Sequence, residues 1–295
     1  MLTKELRFRL EKGSKKYPCP SCGRKTFVRY VDTNTRDYLP QHIGRCDREV
    51  KCQYHNKPDG SNFTDTDNFM SQPIKKPEPV SYIERTFLDK SVSLGMHSNF
   101  AKWLLTLFDA DAVSKLVKTY NLGLSKKWDG ATVFWQVDTS GNIRTGKVML
   151  YDKTGHRVKE PYSHINWVHS LLDANNYNLK QCFFGEHLIA KRPEAPIAIV
   201  ESEKTAVIAS VFIPEMIWIA TGGKNGCRWS DNTVGNILQE RRIMLFPDLG
   251  CHADWTEKAK VLNCENVIVS DLLEENATDE ERRKGLDLAD YLVRQ

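Results

Sequence analysis

The sequence predicts three regions: a small N-terminal β-ribbon, an α+β middle region, and a C-terminal α/β region in which helices flank a parallel sheet. Four of the eight cysteines fall within residues 19–52, a spacing typical of a ribbon. Between residues 81 and 195, helical apolar spacing gives way to strand-like alternation. From residue 196 onward, nearly continuous apolar strands alternate with helical segments, which indicates a parallel sheet covered on both faces.

Composition narrows the class of protein. The 295 residues are 40% apolar and 27% charged, as in ordinary globular proteins. No apolar run approaches the ~18 residues that a membrane-spanning helix needs, and the first residues lack the apolar core of a signal peptide. We therefore expect a cytoplasmic protein without a membrane partner. Because cytoplasmic thiols stay reduced, the cysteines are better candidates for metal ligands and core residues than for disulfides.

Charge is concentrated at the N-terminus. Residues 1–60 carry fourteen Lys and Arg against seven Asp and Glu, a net charge of +7, whereas the whole chain carries +4. A basic segment on a faintly acidic remainder indicates contact with a polyanion such as nucleic acid. A basic surface that only keeps the protein in solution accounts for the charge equally well.

The cysteine spacing predicts a structural zinc site in residues 1–58. Cys19 and Cys22 form a CxxC turn, which places two thiolates on one tetrahedral Zn²⁺, and Cys46 and Cys52 supply the second pair. Five residues separate Cys46 from Cys52 instead of the usual two, so His55 is an alternative fourth ligand. The alternating stretch "KTFVRYVDTN" between the pairs predicts a strand and hairpin.

Residues 59–80 are rich in Pro, Asn, Asp and Ser and predict a linker. The middle region, 81–195, begins with helices for which Asn99 and Asp109 are the expected caps. Two alternating runs follow, with a hairpin at Ser140-Gly141. Cations in and after these runs could face a phosphate backbone or only solvent: Arg144, Lys147, Lys153 and Arg157.

The region 196–295 places acidic residues where strands end. Glu201 follows "IAIV", Asp248 follows "RIMLFP", and Asp287 precedes the last helix. Functional groups collect at the carboxyl ends of parallel strands, and carboxylates with phosphate oxygens are the ligands that Mg²⁺ prefers. We expect Glu201 and Asp248 on neighbouring strands at a shared Mg²⁺ or Mn²⁺ site. Lys204 beside Glu201 and Lys224 in the Gly-rich loop "TGGKNG" could bind nucleic-acid phosphates, although a plain turn also explains that loop.

These motifs resemble a known family. "IVESEKTA" looks like the first motif of the Toprim domain, the catalytic module shared by bacterial primases and type IA topoisomerases, and "LFPDLG" occupies the place of its second motif. A zinc ribbon before a Toprim domain is the order found in bacterial-type DNA primases. The whole chain is similar to primase-like proteins carried on mobile elements of Bacteroidetes. The resemblance implies that Glu201 is the general acid or base, that Asp248 is a Mg²⁺ ligand, and that Asp287 occupies a late acidic position.

One departure from this pattern leaves two functions open. The family has a second aspartate where this chain has Gly250, and the next acid is Asp254. The first function is a DNA primase-like nucleotidyltransferase, partnered by a replicative helicase or mobilisation protein. The second is a non-catalytic DNA-binding accessory protein with a degenerate site. In both, the ribbon contacts single-stranded DNA through basic and aromatic side chains: Arg24, Lys25, Phe27, Arg29 and Tyr30.

Overall fold

The computed structural model of the 295-residue chain divides into two compact units, Met1–Lys76 and Pro77–Gln295. Among the described residues, none of the helices has the length and apolar character needed to cross a bilayer. The structure describes residues 7–13, 15–48, 51–58, 79–172, 177–223, 226–227, 236–260, 262, 264 and 266–294.

The first unit is an antiparallel ribbon, as predicted. Its order is β1-β3-β4-β5, and β2 pairs with β3. Phe27 packs inside with Cys19 and Cys46, because alternate residues of β3 face the small core. The strands are β1 Phe8–Leu10, β2 Tyr17–Pro18, β3 Lys25–Asp32, β4 Gly44–Cys46 and β5 His55–Asn56.

The second unit begins with helices that pack on an antiparallel sheet of order β6-β7-β8-β9. Asp109 caps its helix as predicted, since its side chain accepts from Ala112 N at 2.8 Å. The other predicted cap, Asn99, is wrong by one residue: Ser98 is the cap, and Asn99 donates to the Tyr151 carbonyl. The elements are α1 Arg85–Val92, a 3₁₀ turn Gly95–His97, α2 Asn99–Leu104, α3 Ala110–Thr119, β6 Leu122–Ser125, β7 Ala131–Val137, β8 Ile143–Met149, β9 Ile165–Trp167 and α4 Val168–Leu171.

A four-stranded parallel sheet of order β11-β10-β12-β13 follows, which confirms the predicted sheet. β10 pairs with β12, with Val200 opposite Phe246, so the strands that precede Glu201 and Asp248 are neighbours, as predicted. The elements are α5 His187–Lys191, β10 Ile197–Val200, α6 Glu203–Phe212, β11 Ile217–Ala220, β12 Ile243–Phe246, α7 His252–Ala259, β13 Val267–Val269, α8 Leu272–Asn276, α9 Asp279–Lys284 and α10 Leu288–Leu292.

The two sheets of the second unit share one hydrophobic core. Phe134 and Met149 from the antiparallel sheet pack in the same cluster as Ile199 and Trp218 from the parallel sheet. The segment "FFGEHL", residues 183–188, joins them: Phe184 exchanges two backbone hydrogen bonds with Ala220, each 3.0 Å, at the edge of the parallel sheet. The predicted middle and C-terminal regions are therefore built into one compact body.

Candidate functional site

The four ribbon cysteines form a site suited to zinc. Their Sγ atoms all lie within 4.8 Å of one another, with Cys19 to Cys52 at 3.7 Å and Cys22 to Cys46 at 3.9 Å. Four sulfurs at ~2.3 Å from one tetrahedral Zn²⁺ would be ~3.8 Å apart, so the spacing fits that ion. The backbone N–H of Arg24 lowers the pKa of the Cys22 thiol to about 6, which favours the thiolate that zinc binds.

His55, the alternative fourth ligand, lies outside this cluster. Its Nε2 is 3.0 Å from the Tyr30 hydroxyl, and the two rings stack at 6.2 Å between centroids. Cys52 completes the set instead. The turn between Cys46 and Cys52 tolerates the longer spacing, because Cys52 N donates to Arg48 O at 2.8 Å and brings its thiol back to the site.

The carboxyl edge of the parallel sheet gathers three predicted acids. Glu201 directly follows β10, and Asp248 stands two residues after β12, the paired strand. Asp287 caps α10, and its carboxylate accepts from Thr205 Oγ1 of α6 at 2.9 Å. This hydrogen bond joins the last helix to the helix that follows Glu201. The topology therefore brings acids that are 86 residues apart in sequence to one edge.

Burial and the charges of neighbouring acids favour the protonated form of Asp248. The pKa of Asp248 is raised to about 8, first by burial, then by Asp287, Glu201 and Asp290, while Lys204 opposes the rise. A negative charge on this side chain is therefore unfavourable, and the carboxyl stays largely protonated near neutral pH. A divalent cation would relieve that cost, and carboxylate oxygens are the donors that Mg²⁺ accepts. Within the described residues, however, only the four cysteines bring three or more ligand atoms within 4.8 Å of one another.

The acids open into a cleft of about 610 Å³ whose walls also carry cations. Lys204 pairs with Asp290 at 3.1 Å, and Arg157 and Lys159 contribute from the loop after β8. A cleft that combines carboxylates for a metal ion with cations for phosphate oxygens suits phosphoryl chemistry. Glu201, Asp248, Asp287 and Lys204, all predicted from sequence, line this cleft.

A buried ion pair that the sequence did not reveal supports the site. Lys147 of β8 lies 3.1 Å from Glu203 and donates to the Gly222 carbonyl at 2.8 Å, and both charged side chains are buried. The N–H groups of Gly222 and Gly223 in turn donate to the Glu201 carbonyl at 3.0 and 3.1 Å. Lys147 therefore ties the antiparallel sheet to the turn that presents Glu201. The sequence interpretation, that Lys147 faces a phosphate backbone or solvent, is wrong, because its side chain is buried on β8 opposite Phe134.

Asp254, the next acid after Gly250 in the sequence, does not line the cleft. Its side chain is 57% exposed and pairs with Lys258 at 2.9 Å, one turn along α7, as expected of a residue facing solvent. Gly250 adopts a left-handed φ of +81°. Asp290, by contrast, lines the cleft, although no sequence pattern identifies it as a site residue. Asp287 and Asp290 are thus the additional acids near Asp248.

The predicted nucleic-acid contacts on the ribbon differ in exposure. Arg24 and Lys25 are exposed, and Arg29 lies 4.7 Å from the Tyr38 ring centroid. Tyr30 is half-buried. Phe27 is fully buried at 0% exposure, so the prediction that it contacts nucleic acid is wrong. Lys224, the predicted phosphate contact in the Gly-rich loop, lies outside the described residues.

Two family models match the chain. The family described as Domain of unknown function (DUF6371) matches residues 98–249, which include Glu201 and Asp248. The zinc beta-ribbon finger family matches residues 6–68, in agreement with the four-cysteine cluster. No curated protein matches the chain.

Among solved structures, the chain is similar to three primase fragments. The primase fragment of the bacteriophage T7 primase-helicase protein is 16% identical over 92% of this chain and 98% of that one, with a TM-score of 0.42. The RNA polymerase domain of Mycobacterium tuberculosis primase DnaG is 12% identical over 68% and 80%, also at 0.42. The zinc binding and RNA polymerase domains of Aquifex aeolicus primase are 14% identical over 97% and 80%, at 0.39. With TM-scores this low, the interpretation of the site rests on its own residues.

Proposed function

The chain belongs to the DUF6371 family, and we propose that it is a primase-like nucleotidyltransferase that acts on single-stranded DNA. One observation carries the proposal. Glu201 and Asp248 end two neighbouring parallel strands, and both line a cleft that also holds Asp287 and several cations. Such a cleft provides groups for a divalent ion, for proton transfer and for phosphate binding in one place.

The donor set fits Mg²⁺ or Mn²⁺. Mg²⁺ binds through one or two carboxylates and fills its other positions with water and substrate phosphates, so Asp248, with Glu201 or Asp287 from the same cleft, would hold it. When bound, the ion would supply charge neutralisation at the reacting phosphate. The raised pKa of Asp248 supports this fit, because burial and the neighbouring acids disfavour its ionised form, and a bound divalent cation would favour that form.

The remaining cleft residues have distinct roles in this proposal. Glu201 acts as the general acid or base, since its side chain lies at the strand end and its backbone is fixed by the Gly222 and Gly223 amides. Lys204 and Arg157 bind the phosphates of the incoming nucleotide. Lys147 is a positioning residue, because its ammonium is buried against Glu203.

The zinc ribbon contacts the single-stranded template. Its segment, residues 1–60, carries a net charge of +7, and Arg24, Lys25, Arg29 and Tyr30 are the proposed contacts. Affinity should therefore fall as salt rises, since each neutralised phosphate releases counterions. The resemblance to mobile-element primases further suggests that a replicative helicase or mobilisation protein works with this chain.

Primer synthesis by the full chain on single-stranded DNA tests the proposal. Wild type should make short products with Mg²⁺ or Mn²⁺, and Glu201→Gln should lower the rate by ~100-fold or more, as for the loss of a general acid or base. Asp254→Asn is the matched control, because it removes an exposed carboxylate that pairs with Lys258 and does not line the cleft. Equal rates for wild type and Glu201→Gln would refute the assignment.

A non-catalytic DNA-binding accessory protein is the second candidate. Gly250 favours it, because the family pattern has a second carboxylate at that position. This function predicts salt-sensitive binding to single-stranded DNA with no primer product under any metal condition. Product formation that depends on Glu201 would exclude it.

A further inference from the structure

Three aromatic rings form a ladder on the surface of the second unit. The Tyr162 and His164 rings stack with centroids 4.5 Å apart and an interplanar angle of 18°. The His164 and Trp128 rings meet edge to face, with their centroids 5.1 Å apart and an interplanar angle of 67°. Tyr162, at the outer end, is 56% exposed. More than half of its surface is therefore accessible to a further planar group.

Backbone hydrogen bonds fix this ladder to the antiparallel sheet. Val158 N donates to Leu150 O at 2.9 Å, and Leu150 N donates to His164 O at 3.2 Å. His164 N closes the loop by donating to Val158 O at 3.2 Å. The rings are thus presented by a defined loop that returns to the end of β8, so a ligand would not have to order them first.

Cations surround the ladder and connect it to the cleft. Lys127 Nζ lies 5.8 Å from the Trp128 ring centroid. Arg157 and Lys159 are exposed, precede Tyr162 on the same loop, and line the cleft that contains Glu201 and Asp248. Residues 126–164 hold seven Lys and Arg against four Asp and Glu. The loop that carries Tyr162 and His164 therefore also supplies cations to the cleft that contains the acids.

We propose that Tyr162, His164 and Trp128 form a base-stacking platform that binds single-stranded DNA beside the cleft. An open aromatic face flanked by cations matches the two parts of a nucleotide, the base and the phosphate. A single strand is required, because a base paired within a duplex does not present its face. The role of this strand as a template rests on the proposed function, whereas its binding to the platform does not.

Fluorescence anisotropy with a labelled oligothymidylate tests the platform in the full chain. Tyr162→Ala should weaken binding by ~10-fold, the usual effect of losing one stacking ring. Tyr162→Phe keeps the ring and should bind within about twofold of wild type. Tyr82→Ala is the matched control, since Tyr82 is similarly exposed at 48% but its ring lies 5.0 Å from Arg144, away from the ladder. Circular dichroism of each variant verifies folding.

Photocrosslinking to 5-iododeoxyuridine in the same oligonucleotide locates the contact directly. Adducts on Tyr162, His164 or Trp128 would support the platform. The platform would be overturned if Tyr162→Ala bound DNA as tightly as wild type, or if the adducts were confined to the Met1–Lys76 unit. It would also be overturned if the protein bound no DNA, or bound oligouridylate alone.

Failure of the platform and failure of the proposed function give different results. If the protein synthesises primers and its DNA binding does not depend on Tyr162, the stacking platform is refuted and the enzymatic function is retained. If DNA binding requires Tyr162 but no product depends on Glu201, the stacking platform is retained and the enzymatic function is refuted.

Discussion

Burial controls the protonation of Glu186, in the segment that joins the two sheets. Its carboxyl accepts from Phe183 N at 3.0 Å and Thr139 N at 3.4 Å, yet burial raises its pKa from 4.5 to about 7. Between these values the folded state binds more protons than the unfolded state. The contribution of Glu186 to stability is therefore complete below about pH 4.5 and is lost as pH rises through about 7.

Glu186→Gln should flatten this pH dependence. Relative to the variant, wild type should lose up to ~3 kcal/mol of unfolding free energy between pH 4.5 and 7.5, at 1.36 kcal/mol per unit of pKa shift. Urea unfolding followed by tryptophan fluorescence measures it, since all seven tryptophans lie in the second unit. Parallel pH profiles for the two proteins would show that Glu186 does not titrate in this range.

Lys147 is expected to be essential for stability. Lys147→Met leaves Glu203 buried without its partner, and the loss of one member of a buried pair costs ~3–5 kcal/mol. Lys153→Met, at an exposed lysine just after the same strand, should cost less than ~0.5 kcal/mol. Replacing Glu203 as well, in Lys147→Met/Glu203→Gln, should recover part of the loss. Equal unfolding free energies for Lys147→Met and Lys153→Met would contradict the role given to Lys147.

At the scale of the elements, the backbone conformation of Gly250 suits a glycine. The residue ends the turn after β12 at a φ of +81°, and its N–H donates to Glu274 at 2.7 Å. A Cβ at this position would meet nothing within 4 Å, so the cost of a side chain is conformational rather than steric. Backbone geometry, and not space, favours glycine here.

Gly250→Val should therefore destabilise the protein by ~1–3 kcal/mol, because a β-branched residue tolerates the left-handed region poorly. Gly250→Asn should cost less, since asparagine adopts that region more readily. Urea unfolding of both variants measures the difference. Similar values for valine and asparagine would mean that the turn relaxes away from positive φ.

Local patterns predicted the elements better than the contacts between them. Strand alternation predicted β3 but not which face meets the cysteines, so Phe27 was assigned to the surface although it fills the ribbon core. The apolar runs before Glu201 and Asp248 predicted adjacent strands, because parallel topology constrains their order. The pair Lys147–Glu203 spans 56 residues, and no local pattern encodes a contact at that separation.

At the scale of the whole molecule, zinc should stabilise one unit only. Cys19→Ser should release the metal and unfold the ribbon, because binding supplies the folding energy of such small domains. The tryptophan-monitored unfolding of Pro77–Gln295 should stay unchanged. Cys264→Ser, outside the cluster, should retain one zinc per chain. Metal analysis measures the zinc content, and limited proteolysis measures the unfolding of the ribbon. Zinc-free wild type, or a ribbon that resists proteolysis in Cys19→Ser, would contradict this prediction.

Binding of a divalent cation at the carboxyl edge of the parallel sheet is the central claim. Titration with Mn²⁺, followed by electron paramagnetic resonance of the free ion, tests it most directly, because thiolate sites such as the ribbon cluster disfavour this hard ion. Wild type and Asp254→Asn should each bind Mn²⁺ at the cleft, and Asp248→Asn should lose that binding. Undiminished Mn²⁺ binding by Asp248→Asn, or none by wild type, would contradict the claim.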